Sequence, residues 1–453
     1  MNDRRHIRSV RFLPYASPVR YASLRPHEAA RRAARRLAGA TLLAVLVPAG
    51  RAGAQDELPA DDSVAVRAVA PGVTYRRIVR PAGPWTVHVL EVDLRRPELR
   101  VRAVRACDAL HGRERPSAIV RRLRAEGLDV VGALNADFFD LAGGTGASEN
   151  NVVVDGELVK GVERTESPFD TFDNAHTQFA LTLAGRPLFE RFRLAGTVRT
   201  PHGRWPLGGV NAAAPPPDTL ALVTRWAGDT TPPTPVTGRD SSAAFAVALD
   251  RVGAAGDTVR YRVRGAPQRG GRVAIPERGA VLSGAGAARV AVERLRAGDR
   301  VTVVASVVPS RSRLRTLVGG WPRVVRGGRN VAAASDSVEG TFPRFSRNRH
   351  PRSAIAVTRD SATLLLVAVD GRRQTSVGMS LVELGDALLS LGAAEALNLD
   401  GGGSTALVVG DSLVNVPSDS AGERPVGNVV VVTRGERETR RRAGRVESCV
   451  LGR

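Results

Sequence analysis

Lysine is almost absent from this chain. Of its 453 residues only Lys160 is a lysine, so the other basic side chains among the 66 are all arginine. Methionine (2), tryptophan (4) and tyrosine (4) are also scarce while alanine, glycine and valine abound, the composition of a GC-rich coding bias. Aromatic residues make up 4%, and no stretch interleaves them with arginine in the way a stacking platform needs. That removes the stacking platform of a nucleic-acid binder despite a formal charge of +21. Cysteine is confined to Cys107 and Cys449, far apart in the chain and without the clustered set of ligands a zinc site uses, which argues against zinc. There is no repeat at a fixed period. With 43% hydrophobic and 25% charged residues and no long polar tract, a disordered, collagen-like or multi-span membrane chain is excluded.

The charge is unevenly placed. Residues 1–54 carry +9 and residues 434–453 carry +4, which leaves +8 on the body. The first of these segments reads as an export leader: Arg31, Arg32, Arg35 and Arg36 precede the apolar run Leu37 to Ala49, and Ala52-Gly53-Ala54 offers small residues for cleavage. The run is too short for a transmembrane span. Arg35-Arg36 also permits a twin-arginine route. The expected location is periplasmic or extracellular, where the two cysteines either form one disulfide that staples the tail to the body or stay as free thiols.

At roughly 150 residues per domain the length suits about three units, or one large domain with embellishments. Residues 55–130 read as strand-rich, with Thr86 to Val92 alternating, and Pro116 to Glu126 as a short helix stopped by Gly127. Residues 131–433 form the main domain, with a β-rich section over about 196–309 marked by glycine, proline and short alternating runs. The apolar run Ala362 to Val369 is expected to be a strand buried on both faces. Ser380 to Glu383 is a capping box opening a helix through Leu381, Leu384, Leu388 and Leu391, and a second apolar run, Ala394 to Leu399, follows. Strand, helix and strand so closely joined predict a βαβ unit. The fold class is therefore α+β: a mixed β-sheet core with βαβ units and a β-rich middle insert.

The carboxyl ends of parallel strands share one sheet edge, where ligands bind, so Asp370 and Asp400 are expected to be neighbours. Asn398 and Asp400, two residues apart, share a face. Asp400 precedes Gly401, Gly402 and Gly403, which free the backbone to approach a ligand and to aim N–H groups at an anion, with Ser404 beside them. A plain tight turn is the alternative. Arg352, after Pro351, offers a planar fork for phosphate, or is one exposed arginine among many. Glu423 and Arg424 supply a further acid and anion clamp, or a surface ion pair. Asn135, Asp137 and Asp140 end another strand, where polar caps are common.

These segments, Asn135 to Phe139, Gly319 to Pro322, Arg349 to Ser353, Asp370 to Arg372, Ser376 to Ser380, Asn398 to Ser404 and Asn415 to Asn428, occur in an order that resembles the phosphodiester glycosidase family. The likeness runs from about Val131 to Val432 and is dense after Gly319. The chain departs from the family pattern at Ala136-Asp137, where small residues are usual. The loop Gly143 to Asn150 lacks an expected proline, and Ser353 and Ala356 stand for a usual Thr and Gly. The resemblance implies an exported bacterial hydrolase, of a group associated with exopolysaccharide, that cleaves a sugar-1-phosphodiester at its glycosidic bond. It would release free sugar and a phosphomonoester from a small-molecule or glycan substrate. Asp400, Asp370 and Glu423 would be the catalytic carboxylates. Asn135, Arg352, Asn398, Gly401, Gly402, Gly403, Ser404 and Arg424 would bind substrate. No cofactor, catalytic metal or nucleic-acid partner is implied, and a structural cation such as calcium stays open. Two other readings are a non-catalytic protein holding anionic cell-surface glycans and a metal-dependent phosphodiesterase.

Overall fold

A computed structural model describes residues 62–232, 244–435 and 449–450. The expected export leader and most of the basic tail lie outside the described residues. No helix among the described residues is long and apolar enough to cross a membrane.

Three β-sheets dominate. In the eight-stranded sheet the order is Ser63–Ala70, Val73–Arg80, Trp85–Asp93, Thr363–Val369, Arg352–Thr358, Ala393–Asn398, Arg323–Arg326 and Arg329–Asn330. A five-stranded sheet has Asp129–Asn135 at its centre, between Leu407–Val409 and Asn428–Arg434. The two sheets pack face to face through side chains such as Leu90, Leu366, Leu134 and Val430. Their outer faces are covered in turn. The helix Leu381–Ser390 lies on the larger sheet through Leu381, Leu384 and Leu388, and Pro116–Ala125 lies on the smaller through Ile119, Val120 and Leu123.

Sequence pattern explains these placements. Along Thr363–Val369, Leu364, Leu366 and Ala368 enter the layer between the sheets while Leu365, Val367 and Val369 enter the helix-covered layer, so the continuous apolar run is buried on both sides. The Ser380 hydroxyl accepts the Glu383 N–H at 3.2 Å and the Glu383 carboxylate accepts the Ser380 N–H at 2.8 Å, completing the expected capping box.

The third sheet has thirteen strands. Seven of them, from Arg193–Thr200 to Arg300–Val308 along the chain, close into a barrel when Arg193–Thr200 pairs with Gly203–Val210. Leucine and valine fill the barrel, among them Leu220, Leu249, Leu282 and Val301. The rest of this sheet runs from Gly203–Val210 through Glu157–Val162 back toward the face-to-face core.

Two sequence expectations change. The molecule is sheet-dominated, and its strand pairs among the described residues are antiparallel except that of Gly203–Val210 with Leu220–Thr224, so the core sheet is not mixed. The βαβ strands Thr363–Val369 and Ala393–Asn398 are parallel to each other but not adjacent: Arg352–Thr358 inserts between them, antiparallel to both. Their carboxyl ends still reach one edge, where Arg352 faces Val369 and Ala354 faces Asn398. Of the two possibilities for the cysteines, the disulfide is formed between Cys107 and Cys449.

Candidate active site

Four elements meet at that edge. Asn135, the last residue of its strand in the smaller sheet, joins the two sheets. Its amide donates to the Asp400 carbonyl at 2.5 Å, and its Oδ1 accepts the Ser353 hydroxyl at 2.7 Å and the Ala406 N–H at 3.1 Å. Asn398 donates to the Trp321 and Leu399 carbonyls at 2.6 and 2.9 Å, while its buried Oδ1 has no partner. Both asparagines are thus committed mainly to holding backbone in place.

The glycine turn fits tightly. Gly402, at φ +60°, donates its N–H to the Pro351 carbonyl at 2.9 Å and so lies against the residue preceding Arg352. A Cβ on Gly403 would overlap the Arg424–Asp419 pair. In that pair Arg424 donates to both Asp419 oxygens at 2.8 and 3.1 Å, and it also reaches the Ser404 hydroxyl at 3.3 Å. Asp400 keeps part of its residue surface open, yet burial of the carboxyl pushes its pKa up to about 7. The Asp137 charge acts in the same direction, against the Ser404 hydrogen bond and the Arg424 charge.

Arg352 is 1% exposed. Its guanidinium donates to the carbonyls of Met379, Phe345 and Asn348 at 2.9, 2.7 and 3.2 Å and lies 5.0 Å above the Phe345 ring. Glu383, whose charge reaches it, is itself paired with Arg349 at 2.5 Å. Burial lowers the Arg352 pKa to about 9, and among the described residues no carboxylate contacts this buried cation. Phe345 stacks on Trp321 at 4.9 Å, and Trp321 on His176 at 5.0 Å, extending an aromatic wall toward Asp137.

Two expected carboxylates are occupied elsewhere. Asp370 sits at the same edge, but its Oδ2 lies 3.2 Å from His88 Nε2 and its Oδ1 accepts the Val416 N–H at 2.9 Å. His88 continues through Nδ1 to the Tyr75 hydroxyl at 2.7 Å. Glu423 accepts from the N–H and hydroxyl of Ser117 at 2.7 and 2.5 Å, at the start of the helix on the outer side of the smaller sheet. The structure therefore brings together Asn135, Asn398, Asp400, the glycines, Ser404, Arg424 and Arg352, and gives the carboxylates of Asp370 and Glu423 structural partners.

Other acids take part that sequence reasoning treated as strand caps or passed over. Asp137 is 1% exposed, and both of its oxygens are held by Asn150, through the amide at 2.8 Å and the backbone N–H at 3.2 Å. Burial raises its pKa to about 6. Glu149 is 5% exposed and burial raises it further, to about 8, with Ser167 opposing and the Asp137 and Asp400 charges adding to the rise. Its side chain lines a cavity of about 740 Å³ whose other walls include Lys160, Glu163 and Glu166, and Ala212, Ala213 and Pro216 from the barrel. The signal in the sequence was the pair of departures from the family pattern, at Asp137 and in the loop ending at Asn150, which here touch each other.

Residues 255–433 match the model of the phosphodiester glycosidase family. Over that segment the chain is similar to phosphodiester glycosidases. The matched segment holds Arg352, Asp370, Asn398 to Ser404, Glu423 and Arg424, and leaves Asn135, Asp137 and Glu149 before it. Bovine N-acetylglucosamine-1-phosphodiester alpha-N-acetylglucosaminidase (Bos taurus) is 38% identical over 80 residues, 18% of this chain and 15% of that protein. The aligned segments span 14% and 15% of the curated relatives matched. The fold is shared with the crystal structure of a hypothetical Synechocystis protein (TM-score 0.66, 23% identity), covering 84% of this chain and 64% of that one. It is shared too with a Burkholderia pseudomallei protein named for export (TM-score 0.59, 24% identity), covering 77% and 74%.

Proposed function

We propose that this protein is an exported hydrolase that cleaves the glycosidic bond of a sugar-1-phosphodiester, releasing free sugar and a phosphomonoester. The observation that carries the reading is Asp400. Its carboxyl is poised near neutrality at the head of a glycine turn, between Ser404 and Arg424, on the edge where the buried cation Arg352 begins its strand. A carboxyl about half ionised at pH 7 suits base catalysis or stabilisation of an oxocarbenium-like transition state. Arg424, half-buried beside the turn, suits the phosphate. The family match over residues 255–433 and the bovine relative's name favour an N-acetylglucosamine-1-phosphodiester as first substrate to try.

The test uses the methyl phosphodiester of N-acetylglucosamine 1-phosphate, followed by ³¹P NMR in ¹⁸O-labelled water. Methyl phosphate should form with the label in the sugar, and Asp400→Ala should abolish turnover. Label in the phosphate would instead indicate cleavage of the P–O bond by a phosphodiesterase. Binding without turnover would favour a protein that only holds anionic glycans.

A further inference from the structure

Glu149 lines the large cavity near the buried acids: Asp400 donates its N–H to the Ala136 carbonyl at 2.9 Å, two residues before Phe138. The Glu149 peptide is fixed at both ends of the loop: its N–H donates to the Phe138 carbonyl at 3.1 Å, and its carbonyl accepts the Glu166 N–H at 2.9 Å. The next residue, Asn150, grips both oxygens of Asp137. The Glu149 backbone is therefore fixed next to the residue that holds Asp137, and Glu149 lines open space.

The surrounding charges can be assigned. Asp137 and Asp400 act on Glu149 from the ends of two strands, and Lys160 acts from the strand Glu157–Val162. Lys160 is paired with Glu166 at 2.5 Å, and the other Glu166 oxygen accepts the N–H groups of Ala213 and Ala214 at 2.8 and 3.0 Å. Glu163 and His111 share the cavity, as do Arg164 and Asp173, which pair with each other. Asp140 is taken up by the Thr145 hydroxyl and the Gly143 N–H, both at 2.7 Å. Glu149 has a hydrogen bond from Ser167 but no cation in direct contact among the described residues.

We propose that Glu149 is the catalytic acid of this site: it contacts the phosphate of the bound sugar-1-phosphodiester and passes its carboxyl proton to the leaving oxygen. The proposal rests on the hydrolase reading above. As the C1–O bond breaks, its electron pair goes to the phosphate oxygen, which takes the Glu149 proton. A water oxygen bonds to C1 and gives its proton to the Asp400 carboxylate. The products are the free sugar and a phosphomonoester monoanion, and the proton on Asp400 returns to Glu149 through solvent. Burial raises all three acids, and the Asp137 and Asp400 charges raise Glu149 further, which suits Glu149 to hold the proton that is donated.

Two measurements on the full chain test this. In the first, kcat/KM for the methyl phosphodiester is followed from pH 5 to 9.5. Wild type should lose activity above about pH 8. Glu149→Gln should lower kcat by about 10²-fold and remove that alkaline limb. Ser167→Ala, which deletes a hydrogen bond to the ionised form, should move the limb to higher pH. A Glu149→Gln enzyme with wild-type kcat and the same limb overturns the proposal. The second measurement is independent of turnover. Dimethyl phosphate, a monoanion throughout this range, is titrated by ³¹P NMR. Wild-type affinity should fall through about pH 8 and Glu149→Gln affinity should not. An unchanged pH dependence in the variant overturns the contact. If wild type releases no sugar while the dimethyl phosphate result holds, the hydrolase reading fails and the Glu149 contact with phosphate stands.

Discussion

Glu423 closes the start of a helix that lies 306 residues earlier in the chain, accepting the Ser117 N–H at 2.7 Å and its hydroxyl at 2.5 Å. The residue in the N-cap position, Arg115, supplies no side-chain cap of its own. A remote carboxylate thus does what an Asp or Ser at that position usually does, with its charge set favourably against the helix dipole. Replacing Glu423 with Ala should cost about 1 kcal/mol of stability and leave kcat within about twofold of wild type. Urea denaturation and turnover of the methyl phosphodiester check the two parts. A hundredfold loss of kcat without loss of stability would return Glu423 to the chemistry.

Stability itself should depend on pH through the buried acids. Asp137, Asp400 and Glu149 have folded pKa values of about 6, 7 and 8, against ordinary values of 3.8, 3.8 and 4.5. A carboxyl with a raised folded pKa binds its proton more tightly when folded. Its contribution is therefore complete below the ordinary value, near pH 4, and is lost as pH rises through the folded values, from about 6 to 8. The urea midpoint is expected to fall between pH 5 and pH 8.5, and Glu149→Gln should flatten the upper part of that fall. A midpoint that is level or rising across the window would mean that water reaches these carboxyls.

Much of the fold was legible because its signals are local. The apolar run ending at Val369, the Ser380–Glu383 box and the alternation of Asn398 with Leu397 and Leu399 each fix an element from neighbouring residues. The insertion of Arg352–Thr358 between the two parallel strands was not legible, since strand order depends on pairings that no single segment records. The same limit governed the site. Asp400 and its glycines announce themselves, whereas Asp370 and Glu423 look equally free in sequence until His88 and Ser117 arrive from far along the chain. Asp137 reads as an ordinary strand cap because its raised pKa comes from burial by distant elements.

The third glycine of the turn offers a sharper test of the anion clamp. Gly403 has no room for a Cβ because Arg424 and Asp419 occupy that space, and Arg424 also reaches Ser404 beside Asp400. Gly403→Ala must push the ion pair aside, at a cost of about 1–3 kcal/mol typical of overpacking. Activity should fall more than tenfold, and the acid limb of the pH profile should shift upward, since the Arg424 charge holds the Asp400 pKa down. Gly410→Ala is the control: its φ of +61° is similar to that of Gly402, but its Cβ would meet nothing within 4 Å. It should lower stability by a comparable amount without moving the profile.

The disulfide bears on the cavity as well as on stability. Cys107 and Cys449 are 342 residues apart, and closing so long a loop restricts the unfolded chain strongly. Reduction, or serine at both positions, should cost about 2–5 kcal/mol. The bond also anchors the loop that follows Cys107, where Gly112 donates to the Thr145 carbonyl at 2.6 Å and Thr145 lines the cavity. The opposite anchor is Arg105, which holds the Gly146 carbonyl at 3.0 Å and the Ser148 hydroxyl at 2.6 Å. Losing the staple leaves Arg105 in place, so the wall should loosen on one side only. KM should then rise several-fold while kcat changes little, because Asp400 and Arg424 are fixed by other contacts and Glu149 keeps its backbone bonds to Phe138 and Glu166. Steady-state kinetics with and without a thiol reductant would show this, and a fall in kcat at constant KM would mean that the staple acts on the reacting end of the site.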